Sequence, residues 1–352
     1  MFNFALVGCG RISQRHSDLL GNNEINGARL TAVCDKILNK ARKIANKFGI
    51  PAYEDMHEMM KSEKIDVVVI LTESGRHASH VIQLAPYGAH IVVEKPMALT
   101  LKDADEMIEA CNRRRIKLFV IKQNRFNLPV VQLRKALEEG RFGKLILGTV
   151  RVRWCRTQEY YDLDDWRGTW ALDGGVLTNQ ASHHIDLLEW MMGDVETVYA
   201  KSKTALVDIE AEDTAVVVLK FSNGALGVIE ATTAIRPKDL EGSISILGES
   251  GSVEIGGFAV NELKVWNFSK NLKGDDEVKD KFSVNPPNVY GFGHKAYYDH
   301  VVDCIKNDSI QLVDGLEGRK SLELINSIYQ SIESGEEVEL KSSRKSSKLG
   351  SI

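Results

Sequence analysis

At 352 residues the chain is too long for one ordinary domain, so two are expected. An apolar fraction of 43%, a charged fraction of 27% and a net charge of −4 describe a water-soluble globular protein and give no support for nucleic-acid binding. Cys9, Cys34, Cys111, Cys155 and Cys304 are scattered without a C-x-x-C spacing, which argues against a disulfide framework or a zinc site and fits a reducing cytoplasm. No apolar run approaches the roughly 20 residues of a spanning helix and no signal peptide opens the chain, so no membrane partner is expected.

Phe2–Val7 reads as a first strand, followed at once by Gly8-Cys9-Gly10-Arg11-Ile12-Ser13 and a helix-like stretch at 14–20. This is G-x-G-x-x-S in a strand–turn–helix setting. Gly8 permits the tight turn, Gly10 lets the backbone approach a pyrophosphate, and Ser13 still allows close helix–strand packing. The phosphates would meet free N–H groups at the helix start, which makes Gly8, Gly10, Arg11 and Ile12 the candidate contacts. The plainer alternative is an ordinary glycine turn. A second strand at 29–34 ends on Asp35, about 25 residues past Gly10, close to the spacing of a ribose-binding acid. A carboxylate there accepts hydrogen bonds from the adenosine ribose and repels a 2′-phosphate, so NAD is favoured over NADP. The alternative is Asp35 as a simple helix N-cap.

Leu38–Phe48 is helical with Gly49 as its C-cap, and 53–60 reads as a short strand and turn. Residues 66–72 form a buried strand ending on Thr72, a further candidate cofactor contact, and 78–87 form a helix stopped by Gly88. The stretch 90–97 organises what surrounds it. Ile91, Val92 and Val93 suit a strand buried on both faces, which then stops on Glu94, Lys95 and Pro96. A lysine at the carboxyl end of a parallel strand sits where open α/β sheets bind ligands. The competing reading is a solvated Lys95 paired with Glu94. A helix at 100–114 and a strand at 117–122 complete an α/β, doubly wound parallel sheet over 1–122.

The pattern then changes. A helix at 129–140 precedes strands at 146–154, 197–204, Thr214–Phe221 and 226–233, with shorter ones at 243–247, 252–255 and 263–266. Asn223-Gly224 marks a hairpin turn. Helices at 295–305 and 316–334 follow, and the Ser- and Lys-rich tail at 341–352 is expected to be loose at its end. Residues 123–352 are thus an α+β domain on a large, mostly antiparallel sheet. Its strands carry apolar residues on both alternations, so an open sheet face and a homo-oligomer are expected.

A second informative stretch runs from Trp166-Arg167-Gly168-Thr169-Trp170 to Asp173-Gly174-Gly175 and on to Asp186. Asn179, His183 and Asp186 recur at helical spacing and are expected to share one face. Histidine is the usual proton acceptor near neutral pH. One of the adjacent His183 and His184 is expected to be structural, Asp186 can equally serve backbone groups, and no ligand pattern points to a metal.

With Gly8-Cys9-Gly10, Glu94-Lys95-Pro96, and Gly174-Gly175 followed by His183 and Asp186, the whole chain resembles the glucose–fructose oxidoreductase / inositol dehydrogenase (Gfo/Idh/MocA) family. The resemblance implies a Rossmann domain that binds NAD, with Glu94 and Lys95 at the cofactor, and a catalytic pair of Lys95 and His183 at the reacting hydroxyl. Asn179 replaces the first aspartate of an Asp–His–Asp helix common in the family, a departure from plain inositol dehydrogenases. Within the family, Lys122-Gln123-Asn124-Arg125-Phe126-Asn127, 166–170, 179–184 and Gly291-Phe292-Gly293-His294 are similar to bacterial UDP-N-acetylglucosaminuronate 3-dehydrogenases. That similarity implies a nucleotide-sugar substrate, held by Lys95, Arg125, Asn179 and His183, and a 3-keto product for polysaccharide precursor synthesis. It also implies NADH recycling by 2-oxoglutarate, as in some relatives; the oligomer expected from the open sheet face is a tetramer. Lys122, Arg125, Arg153 and Arg156 are candidate partners of a diphosphate or carboxylate, because arginine grips such anions bidentately; singly, each is equally a surface charge. The alternatives are an inositol or free-sugar dehydrogenase and, from another class, a non-catalytic sugar or NAD sensor.

Overall fold

The computed structural model of the chain describes residues 1–283, 286, 291–341 and 347–351. The chain packs as two compact units, Met1–Ile121 with His294–Lys320, and Lys122–Gly293 with the residues from Ser321 on.

The first unit alternates strand and helix: β1 (Phe2–Val7), α1 (Ser13–Gly21), β2 (Ala28–Cys34), α2 (Leu38–Phe48), β3 (Ala52–Tyr53), α3 (Met56–Ser62), β4 (Val67–Ile70), α4 (His77–Leu84), β5 (His90–Val93), α5 (Leu101–Arg114) and β6 (Leu118–Val120). The strands form a parallel sheet in the order β3-β2-β1-β4-β5-β6. The β-branched runs in β4 and β5 are buried because helices cover both faces of such a sheet. Strand order reverses at β1 and β4, which makes their carboxyl ends the ligand-binding edge of a doubly wound sheet.

Two expectations for this unit need correction. Residues 53–60 are not strand and turn; after a two-residue strand they enter α3. Asp55 starts that helix by accepting hydrogen bonds from the backbone N–H groups of His57 and Glu58. The helix is short, with only Met59 and Met60 buried, so periodicity missed it while the cap was readable. The helix expected at 78–87 is shorter, because Pro86 breaks it into a final 3₁₀ turn closed by Gly88.

The second unit contains α6 (Leu128–Glu138), β7 (Leu145–Arg153), α7 (Gln158–Tyr161), α8 (Ser182–Met192), β8 (Val195–Lys203), β9 (Thr214–Phe221), β10 (Leu226–Thr232), β11 (Glu241–Gly248), β12 (Gly251–Gly256), β13 (Glu262–Phe268) and α9 (Asp275–Phe282). The chain then runs through α10 (Gly293–Lys306) and α11 (Gly315–Ser334) to β14 (Val338–Glu339). Among the described residues the sheet order is β13-β12-β11-β7-β10-β9-β8-β14, with β7 and β10 parallel and the other neighbours antiparallel. Gly224, at a φ of +86°, closes the β9–β10 hairpin. Helix α8 lies on one face of this sheet. Gly148 makes room for it, since a Cβ there would meet Leu188 and Met192 at 2.7 Å.

From His294 onward α10 belongs to the first unit. Tyr298 is fully buried with its ring edge-on to Phe4 at 5.9 Å, and Val302 fills the space beside Gly27. By packing, the first unit thus comprises 1–121 with 294–320, and Tyr298 of α10 meets Phe4 of β1. Of the tail, 342–346 and 352 lie outside the described residues. Leu349, expected in a loose end, is instead 1% exposed and sits against Gly174. Among the described residues no helix is long and apolar enough to cross a membrane, and all five cysteines are free thiols.

Replacing Asp55 by Ala removes the acceptor for two helix N–H groups. Urea unfolding should show a loss of about 1 kcal/mol, the usual cost of losing an N-cap.

Candidate active site

In the first unit the glycine turn behaves as its residue types demand. Gly8 has a φ of +100°, and a Cβ on it would lie 2.7 Å from the Leu71 carbonyl group. At Gly10 a Cβ would meet nothing within 4 Å, so the backbone is open to a diphosphate there. Arg11 is exposed and Ile12 half-buried at the start of α1, while Ser13 is buried and its hydroxyl donates to the Gly10 carbonyl. This cradle fits the dinucleotide that the motif implies. Asp35 stands at the end of β2. Its Oδ2 accepts from the Cys9 N–H and its Oδ1 from the Ile37 N–H, both at 2.7 Å, so it ties the glycine turn to the strand. Lys36, the base beside it, is paired with Glu73 at 2.7 Å.

The turn after β5 is braced from two sides. The Thr72 hydroxyl meets His80 Nδ1 (2.9 Å) and its carbonyl faces His77 Nε2 (3.0 Å); His77 Nδ1 faces the Pro96 carbonyl at 2.8 Å. Burial holds the His77 pKa below its ordinary value, so a neutral ring donates to one carbonyl at a time. Lys95 is half-buried and Glu94 is buried. Glu94 is turned inward, with Oε1 on His16 Nε2 at 3.1 Å and Oε2 accepting from the Lys95 N–H at 2.9 Å. Burial alone would raise its pKa. The His16 hydrogen bond and the nearby charges outweigh burial and bring it to about 2.

In the second unit His183 is 8% exposed at the first turn of α8. The Gln123 amide nitrogen lies 3.0 Å from its Nε2 and fixes the orientation of the ring. Sixty residues separate Gln123 from His183, and no local pattern reveals the contact. His184 is the structural histidine: fully buried, edge-on to Trp154 at 5.8 Å, and held by burial at a pKa of about 4.

Asp186 is 2% exposed and anchors α8. Its Oδ2 accepts from Arg125 Nε at 2.8 Å, its Oδ1 from Arg125 Nη2 at 2.9 Å, and Lys122 Nζ lies 3.6 Å away. Burial raises the Asp186 pKa, but the two cations outweigh it and hold it below its usual value. Arg125 also stacks over Trp190. The basic residues all have partners within the protein: Arg125 and Lys122 face Asp186, Arg153 grips Glu230 bidentately at 2.6 and 2.7 Å, and Arg156 reaches Asp239 at 3.0 Å.

Asn179 also departs from expectation. The helix begins only at Ser182, so Asn179 lies in the preceding turns and its amide donates to Asp173 Oδ1 at 2.6 Å. The Asn–His–Asp spacing was helical, but Gly174 and Gly175 wind the chain differently. Gly174 has a φ of +80°, and a Cβ on Gly175 would fall 2.2 Å from the Glu212 carbonyl oxygen. Glu212 is buried below this turn, accepting from the Leu177 N–H and the Tyr329 hydroxyl, both at 3.0 Å; burial pushes its pKa up to about 7.

A doubly wound sheet with an open glycine cradle, and a second unit that carries His183 on a braced helix, define a nicotinamide-dependent oxidoreductase. Residues 2–122 match the NAD-binding Rossmann fold of the Gfo/Idh/MocA oxidoreductases, and residues 134–340 match the C-terminal alpha/beta domain of the same family. The chain belongs to the Gfo/Idh/MocA oxidoreductase family, and its cofactor is NAD. It is 30% identical to the myo-inositol 2-dehydrogenase of Thermotoga maritima, over 96% of this chain and 98% of that one. It is 27% identical to a D-apiose dehydrogenase of Paraburkholderia graminis, over 97% and 90%. Among solved structures, the WlbA dehydrogenase of Bordetella pertussis with NADH and UDP-GlcNAcA is 40% identical at a TM-score of 0.88, covering 96% of this chain and 98% of that one. The WlbA dehydrogenase of Chromobacterium violaceum, with the same two ligands, is 42% identical at 0.90, covering 96% and 95%.

Asp186→Ala leaves Arg125 and Lys122 buried without their anion. The expected loss is ~3–5 kcal/mol in denaturant unfolding, the scale for breaking a buried ion pair from one side.

Proposed function

We propose that this enzyme oxidises the 3-hydroxyl of UDP-N-acetylglucosaminuronate to a 3-keto sugar, in the synthesis of bacterial polysaccharide precursors. The observation that carries the reading is the likeness to two WlbA dehydrogenases solved with NADH and UDP-GlcNAcA, at 40% and 42% identity over 96% of the chain. The nicotinamide, when bound, accepts the hydride from the carbon that bears the hydroxyl. His183 takes the hydroxyl proton, and Gln123 orients its ring. Lys95 donates a hydrogen bond to the same oxygen and stabilises the charge that develops there. Oxidation of a free sugar or inositol is the second reading. The curated relatives favour it, and so does the internal pairing of the four basic residues.

Purified enzyme should be offered the UDP-uronate, UDP-glucose and myo-inositol with NAD. 2-Oxoglutarate should be supplied as a candidate acceptor for recycling NADH, with the keto sugar read by mass spectrometry. The UDP-uronate should give the keto product fastest, and Lys95→Ala and His183→Ala should each lower kcat by roughly 10²-fold or more. Faster turnover of myo-inositol would move the assignment to the second reading.

We also infer a homo-oligomer, a tetramer, formed through the open face of the second unit's sheet. Support comes from an in-register row of Tyr199, Val218 and Val228 across β8, β9 and β10, with Val216, Val218 and Leu226 about half exposed beside it. Apolar side chains in such a row cost free energy in water unless a second copy covers them. Light scattering of the wild type should give a tetramer mass and Val218→Lys a smaller one; a wild-type monomer at micromolar concentration would reject the inference.

A further inference from the structure

Glu94 is a buried carboxylate that the transfer of hydride and proton does not itself require. Its surroundings form a continuous chain. The Lys95 N–H donates to Glu94 Oε2 at 2.9 Å, Glu94 Oε1 meets His16 Nε2 at 3.1 Å, and His16 Nδ1 meets the Tyr298 hydroxyl at 2.7 Å. The His294 ring stands edge-on to His16 at 5.2 Å. His16, His294 and Tyr298 are fully buried. The chain joins α1, which begins at the glycine turn, to the end of β5 and to α10.

The protons along it are constrained. An ionised Glu94 only accepts, so His16 Nε2 must carry a hydrogen. Tyr298 then donates to Nδ1 of a neutral ring, or accepts from an imidazolium. In either case the end of the network at Lys95 is a carboxylate bonded to that residue's backbone N–H. Lys95 is among the charges that lower the Glu94 pKa, and the same attraction favours the ammonium form of the lysine. The other titratable groups around this network include His77, on the Pro96 carbonyl, His294, beside His16, and the buried Tyr297, edge-on to Tyr298 at 5.8 Å.

We propose that Glu94, His16 and Tyr298 are a positioning network behind Lys95, which fixes the turn that carries it and keeps its side chain charged. The proposal rests on Lys95 acting at the reacting hydroxyl. Small displacements of such a group are costly: a shift of about 1 Å can reduce rate by ~10²-fold. The same atoms could be viewed as a cation site, because His16, Glu94 and His294 place ligand-type atoms within 4.8 Å of one another. Both ring nitrogens of His16 and both oxygens of Glu94 are already engaged within the protein, and a cation would have to break the His16–Glu94 bond.

The test uses the full chain with Glu94→Gln, His16→Gln and Tyr298→Phe. Competitive acetylation of Lys95 across pH, read by mass spectrometry of its peptide, reports its protonation and needs no sugar. Failure of the substrate assignment therefore leaves this arm intact. The acetylation midpoint should move to lower pH by about one unit in Glu94→Gln, the scale of one lost charge neighbour. It should move less in His16→Gln, which keeps a donor to Glu94. With whichever sugar the wild type oxidises, kcat should fall by ~10-fold or more in Glu94→Gln while KM and the NADH dissociation constant hold nearly constant. Tyr298→Phe, a minimal change at the far end, should fold and lower kcat by a smaller factor. An unmoved Lys95 midpoint in folded Glu94→Gln, or a stoichiometric metal in the purified wild type, would overturn the proposal.

Discussion

The second unit depends on one buried anion. Asp186 is isolated from water and faces Arg125 bidentately with Lys122 close by. The pairing joins α8 to the segment that follows β6, and that segment also supplies Gln123 to His183. Breaking it would leave buried cations unmatched, so the cost falls on folding before it falls on chemistry. Trp190 adds to the same lock, with the Arg125 guanidinium 4.7 Å above its ring. The histidine is therefore placed by electrostatics one turn away from it.

The first unit uses a different economy. Its strands are held by burial of β-branched residues, and its polar groups gather where those strands end. Asp35, Thr72 and Glu94 each stand just past a strand of the parallel sheet, and each has side-chain oxygen bonded to the protein. These bonds hold loops that carry no regular structure of their own. A site built at strand ends needs such struts, because the sheet alone fixes only the direction of approach.

Much of this was legible in the sequence, and the reasons are local. Gly8 announces itself because only glycine suits its φ of +100° and the close approach of Leu71, Gly10 because it leaves the backbone open, and the apolar runs of β4 and β5 because a parallel sheet buries both faces. The second sheet was readable from alternation, down to the Asn223-Gly224 turn. What escaped was contact across the chain. Gln123 reaches His183, His16 reaches Glu94, and Arg125 reaches Asp186 over separations of 60, 78 and 61 residues. A basic residue looks the same in sequence whether it awaits a phosphate or neutralises an aspartate. Asn179 shows the converse error, since its spacing from His183 was helical while the glycines before it imposed a turn.

The two buried glutamates have opposite proton inventories. Glu94 is held at about 2, below its ordinary 4.5, so its stabilising charge is fully present above 4.5 and drains away as pH falls toward 2. Glu212 is pushed to about 7, so its penalty is absent below 4.5, grows as the unfolded chain ionises first, and is complete above 7. Mild acidification thus relieves the turn at Gly174 and Gly175 while the bracing of Lys95 is still intact. The two units have separate acid limbs, and the differential titration of one protein carries both signs at once.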